Sequence, residues 1–136
     1  MEYKRNHMNT IKLEYHHSIE NKVIKKELEF EENLIKTPYS KNSLFVSKVE
    51  GKSMQPLIMD NALVVADLSQ KDFENESIFL IYKDENMWIK KASIIDSNEF
   101  FVSINPNFSH LTYEKKDCRI IAKVLVYFNS FGAHIQ

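Results

Sequence analysis

Residues 44–58 read LFVSKVEGKSMQPLI, and the fold turns on how this stretch is parsed. Residues 44–50 alternate, with Phe45, Ser47 and Val49 on one side and Val46 and Lys48 on the other. That is the period of a half-buried β-strand. Gly51 ends the alternation and permits a close approach of backbone. Pro56 fixes φ and keeps the next strand from starting at once. Between them, Lys52, Ser53 and Met54 occupy a tight bend. A serine hydroxyl is thereby delivered where free backbone N–H groups are able to face a developing oxyanion.

Working outward, the rest of the chain reads as a succession of short strands with polar punctuation. Residues 62–66 form a continuous apolar run, as expected of a buried strand. Residues 77–82 and 87–95 form a hairpin around the four-residue connection Lys83-Asp84-Glu85-Asn86. Residues 99–104 are another strand, ended by Asn105-Pro106-Asn107, and residues 119–128 are the last and longest. The chain has just two glycines, so Asn and Asp are expected to supply positive φ, at Asp60-Asn61 and at residues 105–107. No helix of ordinary length is expected.

Residues 1–43 differ. They are rich in Lys, Glu, His and Asn, with one clear alternating stretch at residues 11–15. Residues 25–36 (KKELEFEENLIK) place apolar side chains at 28, 30, 34 and 35, a pattern shared by a short helix and an irregular extended arm. The expected division is an N-terminal arm over residues 1–43 and a β domain over residues 44–136.

The 136 residues suffice for one compact core. Eighteen Lys and Arg stand against nineteen Asp and Glu, so no general pull toward nucleic acid or anionic membrane is expected. Cys118 is the sole cysteine and reads as a small buried hydrophobe in a reducing compartment. No apolar run reaches the length of a membrane span, and residues 1–10 lack the apolar centre of a signal peptide. The expectation is a soluble, cytoplasmic protein with no membrane association. No cofactor is expected, and no metal, since the pair His16-His17 lacks companion ligands.

Ser53 needs a base to become a nucleophile. The five histidines lie near the chain ends or at His110, without an Asp-His pattern, which leaves lysine. In residues 87–91 (MWIKK) alternation puts Trp88 and Lys90 on one face and Ile89 and Lys91 on the other. A lysine beside tryptophan on an inward face is desolvated, and its neutral amine then accepts a proton. Lys91 reads as the solvent-facing neighbour.

These pieces, in order, resemble the self-cleaving serine peptidases that include LexA, UmuD and phage repressor C-terminal domains. The resemblance runs over residues 44–128: residues 49–54 with Pro56, Asp60 with residues 64–67, residues 78–81, Ile89-Lys90-Lys91, residues 103–107 and a closing Ala122-Lys123-Val124. It implies a mainly β fold of short, strongly bent antiparallel strands with an irregular N-terminal arm. It implies Ser53 as nucleophile and Lys90, 37 residues on, as general base. The backbone N–H groups of Ser53 and Met54 would form the oxyanion hole, with Gly51 and Pro56 supporting the turn. Peptidase action on the chain's own arm or on a partner polypeptide is implied, in a stress-response or phage-repressor switch, with a homodimer expected. DNA would be reached only through a separate domain outside this chain. The chain departs from the family in two places that bear on function. Asp60-Asn61-Ala62 replaces the usual Asp-Gly-Asp, and no glycine precedes Gly51, so the Ala-Gly or Cys-Gly bond cut in the arm is absent. Alignment of the arm sets the scissile position between Asn21 and Ile24. The alternative is a non-cleaving dimerisation module of a transcriptional regulator or polymerase accessory protein.

Overall fold

The structure, a computed structural model, describes residues 9–129. The outermost parts of the two expected segments, including the N-terminal residues read for a signal peptide, lie outside that range. Nine strands account for the described fold, and no helix exceeds a single 3₁₀ turn. They are β1 (Thr10–Ile19), β2 (Lys22–Glu31), β3 (Leu44–Lys48), β4 (Leu63–Asp67), β5 (Ile78–Lys83), β6 (Asn86–Ile95), β7 (Asn98–Val102), β8 (Tyr113–Glu114) and β9 (Arg119–Phe128). The mainly β, antiparallel expectation holds. Among the described residues, no helix is long and apolar enough to cross a membrane.

β1 and β2 form a separate hairpin, while the other seven strands run in the order β3-β4-β9-β5-β6-β7-β8. β4 shows why a strand becomes wholly apolar. Val64 and Ala66 point into a core shared with Met54, Ile58, Leu80 and Ile89. Leu63 and Val65 point into a second core, completed by Ile11, Leu28 and Phe30 of the N-terminal hairpin. With both faces covered, every residue of β4 is buried.

The N-terminal arm is therefore not irregular. Its ten pairs run in register from Thr10↔Glu31 to Ile19↔Lys22. Glu20 and Asn21 close the turn at positive φ, a two-residue hairpin geometry matched to strand twist. Leu28 and Phe30 are inward while Glu27 and Glu29 are exposed, so the helical option for residues 25–36 fails. Two inward apolar residues are too short a pattern to declare a period by themselves. The long partner strand decides it.

Other expectations shift for similar local reasons. The β5–β6 connection is two residues, Asp84-Glu85, both at positive φ, because Lys83 and Asn86 pair with each other. Asn61 adopts positive φ as expected, but Asn105 does not: it sits at φ −74° and its side chain caps a 3₁₀ turn instead. β9 equals β1, β2 and β6 in length and lies inside the sheet, not at an edge. It pairs with β4 through residues 123–128 and with β5 through residues 119–123.

Candidate active site

The bend after β3 is built by hydrogen bonds from its own neighbours. Val49 N–H donates to Ala62 O at 2.8 Å and Asn61 N–H to Val49 O at 2.9 Å, which extends the β3–β4 pairing one step beyond the strands. Gly51 follows at φ +103°, a conformation that disfavours any residue with a Cβ. A Cβ built at Gly51 meets nothing within 4 Å. The glycine is needed for its dihedral angle, and the close approach expected there is absent. Its N–H donates to Asp60 Oδ1 at 2.8 Å, and Asp60 N–H donates to Gln55 Oε1 at 3.2 Å. Met54 plugs the first core, 1 % exposed, and Pro56 follows a cis peptide bond. Among the described residues, the N–H groups of Ser53 and Met54 enter no hydrogen bond.

Ser53 stands half-buried on the wall of a cleft of about 420 Å³. Gly51 and Lys52 line it with Ser53, as do Trp88 and Ile89 of β6 and, farther along the chain, Phe108 and Leu111. The next residue of β6, Lys90, is fully buried. It faces the side of Trp88, as alternation requires, with Nζ 5.4 Å from the indole centroid. Lys91 points the other way, half-buried, and pairs with Glu76 at 2.9 Å. Burial pushes the Lys90 amine down to about 8 from 10.5, and among the described residues no ion pair offsets it.

Lys90 Nζ donates to Ser103 Oγ at 2.8 Å, and no hydrogen bond joins it to Ser53. Ser103 Oγ lies 3.4 Å from Leu111 O. With its own proton directed at that carbonyl, the Ser103 hydroxyl presents a lone pair to the lysine. Two residues on, Asn105 grips the nucleophile turn. Its N–H donates to Ser53 O at 2.9 Å and its Nδ2 to Lys52 O at 3.0 Å. Ser103 and Asn105 thus tie the lysine and the serine turn to one short segment. The sequence reading gave neither residue a role in the site. Their i, i+2 spacing, which sets two side chains on the same side of extended chain, was the available signal.

The segment expected to carry the scissile position is elsewhere. Asn21 lies in the hairpin turn, Lys22 to Ile24 are paired in the ladder, and no residue of the hairpin lines the cleft. Val23 and Ile24 are nevertheless exposed, at 67 % and 40 %. Among the described residues, no cluster of three or more His, Cys, Asp or Glu side chains gathers to hold a metal.

No curated protein matches the chain. A family model described as Peptidase S24-like matches residues 11–125. The match opens at the first buried residue of β1 and runs into β9, so it takes in the hairpin, the serine bend and the buried lysine alike. With most of its length covered, the chain belongs to the Peptidase S24-like family, that of the LexA and UmuD proteins it resembles.

Proposed function

We propose that this protein is a Ser–Lys peptidase that cuts its own N-terminal arm, or the arm of a second copy, as part of a stress-response or phage-repressor switch. The observation that carries the reading is Lys90: fully buried, without an anionic partner among the described residues, and on the face of β6 that it shares with Trp88, which lines the same cleft as Ser53. At pH 7 an amine titrating near 8 is neutral in roughly one molecule in ten, whereas an ordinary lysine is neutral in fewer than one in a thousand. The N–H given to Ser103 leaves the neutral amine a lone pair for Ser53.

In the reaction, Lys90 Nζ takes the proton of Ser53 Oγ as the oxygen attacks a peptide carbonyl. The oxyanion is met by the N–H groups of Ser53 and Met54. Lys90 then gives its proton to the leaving amine. Water, activated by the same amine, releases the acyl group and restores the serine. A substrate held within the same molecule or dimer is presented at high effective concentration.

Incubating the full chain between pH 6 and 10 tests this. A shorter fragment is expected to accumulate, at a rate rising through a midpoint near pH 8, and to be absent in Ser53→Ala and in Lys90→Met. An unchanged band at pH 9, in protein shown by its melting curve to be folded, refutes the peptidase reading. That no residue of the hairpin lines the cleft favours a second reading, a non-cleaving dimerisation module of a regulator or polymerase accessory protein, and that unchanged band is the result it expects. In either case a homodimer is proposed. Residues 124–128 pair with β4 alone among the described strands, which leaves their other edge for a second copy.

A further inference from the structure

Among the described residues two charged side chains are fully buried, Asp67 and Lys90. Asp67 accepts four hydrogen bonds. Lys90 makes one, to Ser103. What else meets its charge is aromatic. Lys90 Nζ lies 5.4 Å from the Trp88 ring centroid and 5.9 Å from that of Tyr113, both within the reach of a cation–π contact. The two rings pack at 5.6 Å with their planes inclined by 59°, so they make a corner and not a stack. The corner is itself held. Trp88 Nε1 donates to Lys83 O at 3.3 Å, and Tyr113 sits opposite Phe101 in the β7–β8 ladder. Trp88 also lines the cleft that Ser53 lines.

We infer that Trp88 and Tyr113 are positioning residues for the reaction proposed above: their ring faces, together with Ser103, hold the Lys90 amine in place and favour its protonated form. The inference rests on Lys90 being the base. The other titratable groups packed about this corner are the Tyr113 phenol on β8, the Cys118 thiol and Lys83 on β5, whose ammonium is 4.9 Å from the Tyr113 centroid and paired with Asp84 at 2.6 Å. No carboxylate from β5, β7 or β8 pairs with Lys90 among the described residues. The ring faces therefore oppose burial: burial expels the proton, and the aromatic quadrupoles retain it.

Trp88 is the chain's single tryptophan, so biosynthetic replacement by mono-, di- and trifluorotryptophan changes this ring alone. Fluorine drains the negative ring face with little change of shape. In the full chain, the Lys90 side-chain resonances are titrated by NMR and self-cleavage is timed from pH 6 to 10. Both midpoints are expected to move stepwise to lower pH, by about half a unit in total. Tyr113→Phe, which keeps a ring face and loses the hydroxyl, is expected to leave both in place. A Lys90 midpoint indifferent to fluorination, in protein that still self-cleaves, overturns the corner and spares the peptidase. A midpoint that follows the fluorine count in protein that never cleaves overturns the reaction, and the positioning role with it.

Discussion

Lys90 is a long cation with no atom in solvent, and its folded and unfolded states disagree about its proton. Between pH 8 and 10.5 the unfolded chain keeps the proton that the folded chain releases, so stability rises with pH across that window. Below pH 8 both states are protonated and the cost of burying the charge is constant. Lys90→Met removes that cost. It is expected to stabilise the protein by about 3 kcal/mol at pH 7, with the advantage fading to nothing by pH 10.5 in denaturant titrations. Among the described residues Ser103 supplies the one hydrogen bond the amine has. Ser103→Ala is expected to slow self-cleavage about tenfold or more and to shift its midpoint to lower pH, with Ser103→Thr restoring both. Alternation and the family pattern together pointed to Lys90 over Lys91, and Lys90 is the buried one of the two. Ser103 stayed hidden because a serine in a loop carries no mark of its partner until the fold supplies one.

At the scale of elements, strand ends are secured by side chains more than by glycine. The carboxylate of Asp67, last in β4, accepts from the backbone N–H groups of Ser40 and Ser69, the Ser69 hydroxyl and the Gln70 amide. Burial pushes this acid up, and the four donors outweigh it and hold it at about 2. A carboxyl depressed in the folded state adds stability above its ordinary range near 3.8 and loses it as pH falls toward 2. Asp67→Asn is expected to cost about 2 kcal/mol at pH 7, with the difference closing over that acid window when melts are compared at pH 7, 4 and 2. β4 itself was legible as a buried strand, since an uninterrupted apolar run allows little else in a β chain. The cover was not. β2 shows one polar-apolar alternation of two inward residues, and its identity depends on a ten-pair register with β1 that no local pattern displays.

For the whole molecule, the hairpin serves as the lid of a core. Ile11, Leu28 and Phe30 pack with Leu44, Leu63 and Val65, and Phe30 meets Phe128 of β9 with ring centroids 5.5 Å apart. A chain starting at residue 24 retains Leu28 and Phe30 but loses Ile11 and the whole β1 ladder. Such a truncation is expected to stay folded, to melt on the order of 5–10 °C lower, and to bind a hydrophobic dye that the intact chain ignores. The sheet carries a further consequence through β9. Within it, the pair β3–β4 and the meander β5–β8 are linked strand to strand, among the described residues, only through β9. Ser53 follows the first group and Lys90 belongs to the second. The two groups are therefore joined into one sheet only when residues 119–128 lie between them. For the reaction proposed above this makes β9 a clasp: loosening that one strand is expected to part Ser53 from Lys90 and to stop cleavage with both residues intact.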